Sequence, residues 1–208
     1  GRRHLISSGI EHEAVLNTLK ALTRRGWQTT LMPVGASGLV TGEALTAALT
    51  DQTPVVSIMH ANNEIGTIQP VAELTRLAKA RGAVVHTDAV QTAGKIPVNV
   101  RALGVDLLSI SAHKFYGPKG VGALWVRRGL RLLPFMTGGK QERGRRSGTE
   151  NVAAIAGMGV AARLAMARLE PPVAEVQRRP LRRAEQRGRG GGLLRAGLPR
   201  GARSCPAA

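Results

Sequence analysis

The chain has 208 residues, of which 30 are Lys or Arg and 13 are Asp or Glu, so its formal net charge is +17. This length fits one domain, or one domain with a tail, and 43% hydrophobic residues with only 2% aromatic ones allow an aliphatic core and exclude general disorder. There is no apolar run of about 18 residues, and the chain starts without an apolar leader or an initiator Met, so we expect no membrane span, no secretory leader and a fragment of a longer protein. The single cysteine, Cys205, cannot form an internal disulfide, and we expect a reducing, cytoplasmic location.

Short apolar runs alternate with segments of helical period along most of the chain. In chain order, the pattern predicts strand 5–8, helix 11–25, strand 29–34, helix 41–49, strand 54–60, helix 71–81, and strands 83–87, 107–111 and 122–126. Such alternation is typical of parallel strands joined by helical crossovers. We therefore predict an α/β fold with a mostly parallel sheet flanked by helices.

The positive charge is concentrated toward the end of the chain. Residues 167–208 hold ten Arg, no Lys and three Glu, a net charge of +7, and they are rich in Pro and Gly. We expect residues 1–166 to form the folded body and 167–208 to be a tail that is disordered or frame-shifted. The tail has no aromatic side chain for base stacking, so nucleic-acid binding is the weaker alternative.

Polar residues follow three of the predicted strands directly, at 60–64, 86–91 and 111–114. In open α/β sheets, ligands bind beyond the carboxyl ends of the strands. Because consecutive strands tend to be neighbours, we expect the three clusters to converge.

The residue types in these clusters favour some chemistries over others. Lys114, at a strand end, suits a Schiff-base lysine, although a lone loop lysine is more often simply solvated. Asp88 could form a salt bridge, cap a helix or hold the protonated pyridine nitrogen of pyridoxal phosphate. His86 and Asp88 could also ligate a metal with His60 or His113, but no His-x-x-x-His pair or Cys ligand supports a metal site.

Five sequence blocks together resemble one family. They are Glu-His-Glu-Ala-Val at 11–15, Met-His-Ala-Asn-Asn-Glu-Ile-Gly at 59–66, His-Thr-Asp-Ala-Val-Gln at 86–91, Ser-Ala-His-Lys-Phe-Tyr-Gly-Pro-Lys-Gly at 111–120 and Gln-Glu-Arg-Gly-Arg-Arg-Ser-Gly-Thr-Glu-Asn at 141–151. In this order and spacing they resemble the cysteine desulfurases, which are class V aminotransferase-like pyridoxal-phosphate enzymes of fold type I. The resemblance covers about residues 4–166 and implies that 1–166 is an incomplete cofactor-binding large domain of that fold.

The resemblance assigns roles around the cofactor ring. Lys114 would form the Schiff base with the cofactor and move the substrate's α-proton, and Asp88 would pair with the pyridinium nitrogen. His12, the second expected catalytic residue, would stack on the ring, although it could simply cap a helix. Gln91 would hydrogen-bond the phenolic oxygen, with Asn63 near that oxygen and the substrate.

The resemblance also assigns the phosphate contacts. Ser111 and His113 would bind the cofactor phosphate. Thr149 would reach the phosphate of the partner subunit's cofactor, which implies a homodimer.

The implied reaction converts L-cysteine to L-alanine and leaves the sulfur as an enzyme persulfide. A sulfur-acceptor protein then takes this sulfur for iron–sulfur cluster assembly or thiolation. In the family the persulfide forms on a cysteine in a Ser-Gly-Ser-Ala-Cys context, whereas Cys205 lies in Ala-Arg-Ser-Cys-Pro. We therefore do not assign the nucleophile to Cys205, and we expect this chain to bind cofactor poorly and to release little sulfide.

Three alternatives stay open. Selenocysteine lyases and other class V enzymes share several of these blocks. A non-catalytic binding protein with a basic tail would show salt-sensitive nucleic-acid binding without a cofactor. A metal protein built on His86, Asp88 and His113 would contain stoichiometric metal.

Overall fold

A six-stranded sheet forms the centre of the computed structural model, which describes residues 1–169. The strands are β1 (His4–Ser8), β2 (Gln28–Met32), β3 (Val55–Ser57), β4 (Val84–Asp88), β5 (Leu107–Ser111) and β6 (Gly122–Val126). Their order across the sheet is β2-β1-β3-β4-β5-β6, and only β6 runs antiparallel to its neighbour. The predicted mostly parallel α/β fold is confirmed.

The helices are α1 (Glu13–Thr23), α2 (Gly42–Ala48), α3 (Val71–Ala80), α4 (Val100–Leu103), α5 (Gln141–Gly144) and α6 (Val152–Arg168), with a 3-10 helix, η1, at Ala112–Phe115. The first three match predicted helices to within two residues at each end. Sequence periodicity did not predict α6, because Ala, Gly and apolar residues occur on all of its sides and leave no polar stripe.

The main core lies between one face of the sheet and helices α2 and α3. Strand residues such as Ile6, Val56 and Val85 are buried against helix residues such as Leu45 and Leu74. Burying each of these side chains stabilises the fold by about 1.5–3 kcal/mol relative to exposing it. Helices α2 and α3 therefore cover this face of the sheet, whereas α1 lies against the opposite face.

β3 is shorter than predicted. The expected strand covered residues 54–60, but pairing with β1 stops at Ser57. Beyond that residue, Ile58 and His60 still donate their N–H groups to the carbonyls of His86 and Asp88. Residues 58–60 are thus hydrogen-bonded to β4 but no longer to β1. The loop that follows β3 begins where the chain leaves β1.

The predicted division into a body and a tail stays a prediction, since residues 170–208 lie outside the described part of the chain. α6 continues to Arg168, two residues past the expected boundary. Among residues 1–169, no helix is long and apolar enough to cross a membrane.

Candidate active site

The three polar clusters follow β3, β4 and β5, which are adjacent in the sheet. Ser57 pairs with His86, and Asp88 pairs with Ser109. The strand ends therefore meet at one edge of the sheet, as the sequence predicted, and the residues of the three clusters lie there together.

Lys114 lies on η1, directly after β5. Two neighbours anchor this short helix, since Ala112 and Phe115 are buried and pack against Ala161 of α6. Gly117 permits the close approach, because a Cβ there would lie 2.9 Å from the Ala112 Cβ and 3.2 Å from the Ala161 Cβ. The half-buried Lys114 thus sits on a rigid support, and within residues 1–169 its ammonium group has no hydrogen-bond or ion-pair partner.

Asp88 ends β4. Its Oδ1 accepts the N–H of Val90 at 2.8 Å, and its backbone carbonyl accepts the N–H of His60 at 2.8 Å. These bonds fix the carboxyl group where the strand turns into the next segment. Gln91 follows in that segment, and its Oε1 accepts a 3.3 Å hydrogen bond from Lys95.

His12 is the N-cap of α1. Its Nδ1 accepts the N–H of Ala14 at 3.2 Å, so the capping role considered in the sequence is present. The ring is otherwise exposed, and it lines a cleft of about 560 Å³ together with Asn63. Capping one nitrogen therefore leaves the ring face open toward the cleft.

Asn63 is exposed on a turn that Asn62 builds. The Oδ1 of Asn62 accepts the N–H groups of Glu64 and Ile65 at 2.8 and 3.0 Å, while its Nδ2 donates to the carbonyl of Ile10 at 2.9 Å. Asn62 thereby joins the turn after β3 to the turn before α1. Asn residues often build such turns, and the sequence alone predicted no role for Asn62 in the site.

The expected phosphate-binding residues are partly assembled. Ser111 Oγ and His113 Nδ1 lie 2.8 Å apart, at the end of β5 and the start of η1. Thr149 is exposed in the loop between α5 and α6, and within residues 1–169 it forms no side-chain hydrogen bond with these strand ends. Its predicted contact with a partner subunit stays a prediction.

Hydroxyl groups hold two histidines near the strand ends, the half-buried His86 and the buried His60. His86 lies between Ser57 and Ser109, with each ring nitrogen 2.8 Å from a hydroxyl oxygen, and burial lowers its pKa although Asp88 opposes this effect. His60 contacts Thr92 at 3.0 Å, and burial lowers its pKa as well. Both imidazoles are structural groups of the sheet edge.

The metal alternative finds no support in the geometry. Both nitrogens of His86 are already engaged, and His113 contacts Ser111. Nowhere in the part of the chain that the structure describes do three His, Cys, Asp or Glu side chains form a group able to hold a metal ion.

Glu11 is a buried group that sequence reasoning missed as a site residue, although it begins one of the five blocks. It is 5% exposed, and its Oε1 accepts the hydroxyl of Ser8 at 2.6 Å and the N–H of Met59 at 2.8 Å. Its Oε2 is buried without a partner among residues 1–169. Burial raises the pKa of Glu11 to about 7, and nearby Asp88 adds to the rise.

The chain is similar in sequence and fold to known proteins. The aminotransferase class-V profile matches residues 1–185. The cysteine desulfurase IscS of Dictyoglomus turgidum is 54% identical over 171 residues, which are 82% of this chain and 43% of that relative. The chain thus spans less than half the length of this curated relative.

Two solved structures share the fold. A NifS-like protein superposes with a TM-score of 0.77 at 48% identity, over 79% of this chain and 46% of its own. The SspA protein in complex with cysteine superposes with a TM-score of 0.75 at 42% identity, over 78% of this chain and 47% of its own. Since the family profile covers far more than half of the sequence, the chain belongs to the aminotransferase class-V family.

Proposed function

We propose that this chain carries the cofactor-binding part of a pyridoxal-phosphate-dependent cysteine desulfurase, which converts L-cysteine to L-alanine and passes the sulfur to an acceptor protein. One observation carries the proposal: Lys114 has no partner for its amine within residues 1–169 and lies on a rigid support beside the strand end that bears Asp88. The names of the relatives support the substrate class, since one is a cysteine desulfurase and another structure holds cysteine.

The donor set at the sheet edge fits pyridoxal phosphate group by group. A primary amine suits its aldehyde, a carboxylate suits its pyridine nitrogen, and hydroxyl and imidazole groups suit its phosphate. These groups are supplied by Lys114, Asp88, Ser111 and His113. The face of the His12 ring is open to the cleft, where an aromatic ring could stack on it.

The residues divide the chemical work. Bound pyridoxal phosphate withdraws electrons from the substrate's α-carbon and makes its proton acidic. Lys114 takes that proton as a base, for which its amine must be deprotonated. Asp88 would hold the cofactor by its pyridine nitrogen and keep a proton there, and Asn63 and Gln91 would hold its ring by the phenolic oxygen.

Further parts of the proposal concern the whole protein. Thr149 contacts the cofactor phosphate of a second subunit in a homodimer, and the protein acts in the cytoplasm. The wide exposure of apolar residues on α6, including Val152, Leu164 and Met166, supports a partner surface on this side.

The decisive experiment is a titration of the purified chain with pyridoxal phosphate, followed by visible absorption and borohydride reduction. Because we expect weak binding, the titration extends to saturating cofactor, where we expect a visible band in the wild type and a covalent adduct on Lys114 after reduction. Lys114→Ala removes both, whereas the control Lys119→Ala, which changes an exposed lysine of the same segment, keeps them. A folded wild-type chain without the band, or a band that survives in Lys114→Ala, would overturn the proposal.

Sulfide release from L-cysteine is a separate measurement. We expect little sulfide from this chain, because its one thiol, Cys205, lacks the sequence context of the family's nucleophile. Robust, Lys114-dependent production of alanine and sulfide would contradict this expectation without affecting the cofactor assignment.

A further inference from the structure

The contacts of Glu11 connect two separate loops of the candidate site. Ser8, which donates to Glu11 Oε1 at 2.6 Å, ends β1, and Met59, which donates to the same oxygen at 2.8 Å, follows β3. The loop between β1 and α1 carries His12, and the loop after β3 carries Asn63. A single carboxylate oxygen therefore joins the two loops that line the cleft.

The connection continues from Met59 to Asp88. The residue after Met59 is His60, whose N–H donates to the carbonyl of Asp88 at 2.8 Å. The path from His12 to Asp88 contains two hydrogen bonds, Met59 N–H to Glu11 Oε1 and His60 N–H to the Asp88 carbonyl, and the chain itself joins His12 to Glu11 and Met59 to His60. Glu11, Met59 and His60 are buried, whereas His12 is exposed and Asp88 half-buried. Two residues expected on different parts of the cofactor ring are thus set relative to each other through Glu11.

Burying a carboxyl group at this place is energetically unfavourable, so we expect it to fulfil a role that an apolar side chain could not. Its Oε2 is buried and unpartnered among residues 1–169, which costs about 1–3 kcal/mol. Burial raises the pKa of Glu11 to about 7, yet Oε1 can accept both donors whether or not a proton sits on Oε2. The bridge thus depends on the length and acceptor of the side chain and not on its charge.

A second bond supports the same geometry from the opposite loop. Asn62 Nδ2 donates to the carbonyl of Ile10, the residue before Glu11. The two loops are therefore joined in both directions, by a side chain from each. Loss of either bond alone is expected to loosen the cleft without unfolding the sheet.

We propose that Glu11 is a positioning residue, whose carboxyl group holds the His12 loop and the Asn63 loop in register with Asp88 and so sets these side chains for binding the cofactor. The bridging part stands on the contacts of the free chain, while the part concerning the cofactor rests on the proposed function. The next experiment separates the two.

The test compares three substitutions of Glu11 in the 208-residue chain. Glu11→Gln keeps the length and the acceptor, Glu11→Asp keeps the charge but is one methylene too short, and Glu11→Ala removes the group. Glu73→Ala is the matched control, because Glu73 is an exposed glutamate in the first turn of α3. Hydrogen exchange is measured on the cofactor-free proteins, and pyridoxal-phosphate affinity is measured from the visible band and its induced circular dichroism.

We expect the Met59 amide and the peptides that carry His12 and Asn63 to exchange about tenfold faster in Glu11→Ala and Glu11→Asp, with β5 unchanged as internal reference. Cofactor affinity should fall about tenfold in the same two variants, with altered induced circular dichroism. Glu11→Gln and Glu73→Ala should stay within about twofold of the wild type in both measurements. If Glu11→Ala does not fold, the contrast between Gln and Asp decides.

Different failures point to different errors. The bridging role would be overturned if the Met59 amide exchanged at the wild-type rate in both Glu11→Ala and Glu11→Asp. It would also be overturned if exchange stayed at the wild-type rate in Glu11→Asp but became faster in Glu11→Gln. Faster exchange with unaltered cofactor affinity and circular dichroism would overturn positioning while leaving the bridge. A wild type without a Lys114-dependent band would overturn the proposed function, and with it the part of the inference that concerns the cofactor, while the exchange data would still decide the bridge.

Discussion

The pKa values of two buried carboxyl groups, Glu11 and Asp106, are shifted in opposite directions. Glu11 has two neutral donors on one oxygen, and burial dominates, so its pKa is raised to about 7. Burial also acts to raise the pKa of Asp106, but hydrogen bonds from Val85, Lys79 and Arg127 outweigh it and lower the pKa below 3.8. The difference follows from the partners, because cations stabilise a carboxylate and neutral donors only partly replace its water.

Glu11 should make the chain less stable as the pH rises. A folded-state pKa raised from 4.5 to about 7 means that the native state holds the proton while the unfolded state has lost it. The free energy of unfolding should therefore fall by about 3 kcal/mol in total as the pH rises from well below the unfolded-state pKa of 4.5 to well above the folded-state pKa of about 7, from about 2.5 pKa units at about 1.36 kcal/mol each. Urea unfolding of the wild type and Glu11→Gln across this range measures it. Equal pH slopes in the two proteins would show that Glu11 is ionised in the native state.

At the scale of the element, the contact between α6 and the η1 segment decides where Lys114 lies. α6 carries two glycines in different surroundings. A Cβ at Gly157 would lie 2.7 Å from the Cγ of Pro118, whereas a Cβ at Gly159 would meet nothing within 4 Å. Gly157 thus permits close packing against the segment after Lys114, and Gly159 only weakens the helix.

This pair of glycines gives a prediction with its own control. Alanine favours a helix interior by about 1 kcal/mol over glycine, so Gly159→Ala should stabilise the chain by up to that amount. Gly157→Ala should instead lower the free energy of unfolding by about 1–2 kcal/mol, because the clash with the proline ring outweighs the propensity gain. Thermal unfolding of both variants tests the packing, and a stabilising Gly157→Ala would mean that α6 lies farther from Pro118.

For the described part of the molecule as a whole, Asp106 connects the layers at the sheet edge opposite the candidate site. Its Oδ2 accepts the N–H of Val85 in β4, and its Oδ1 contacts Lys79 of α3 at 2.9 Å and Arg127, which follows β6, at 2.6 Å. One carboxylate thus joins a helix, the parallel sheet and the antiparallel edge strand. The Asp106 side chain is 2% exposed, whereas those of Lys79 and Arg127 are 37% and 50% exposed, so solvent screens the cationic side of these bonds in part.

Asp106→Asn should destabilise the chain by about 2–3 kcal/mol, because it removes the charge and leaves one donor poorly matched. Since the folded-state pKa is lowered, this stability is present at neutral pH and is lost as the pH falls below about 3.8 through the native pKa. The control is Asp51→Asn, whose exposed pair with Arg81 spans 4.0 Å and should contribute no measurable stability. Denaturant unfolding that ranks the two substitutions equally would contradict this assignment.

Sequence patterns were sufficient for the strands, for α1 to α3 and for the convergence of the three polar clusters. β-branched runs and helical spacing are local properties, and parallel order follows from the crossovers, so both can be inferred without coordinates. α6 could not be inferred this way, because it has no polar stripe and because the reason for Gly157, its close packing against Pro118, is visible only in the structure. Most tail residues, from 170 onward, lie outside the described part of the chain.

The candidate site shows the same division. Lys114 and Asp88 were predicted as site residues from the ordered blocks and their resemblance to the cysteine desulfurases, which requires no knowledge of contacts, and their roles stay predictions. Glu11 and Asn62 acquire their meaning only from partners 48 and 52 residues away, Met59 and Ile10. The sequence by itself shows which side chains are able to take part in chemistry. Their positions are set by hydrogen bonds between distant loops, and these bonds form only after the sheet has brought the loops together.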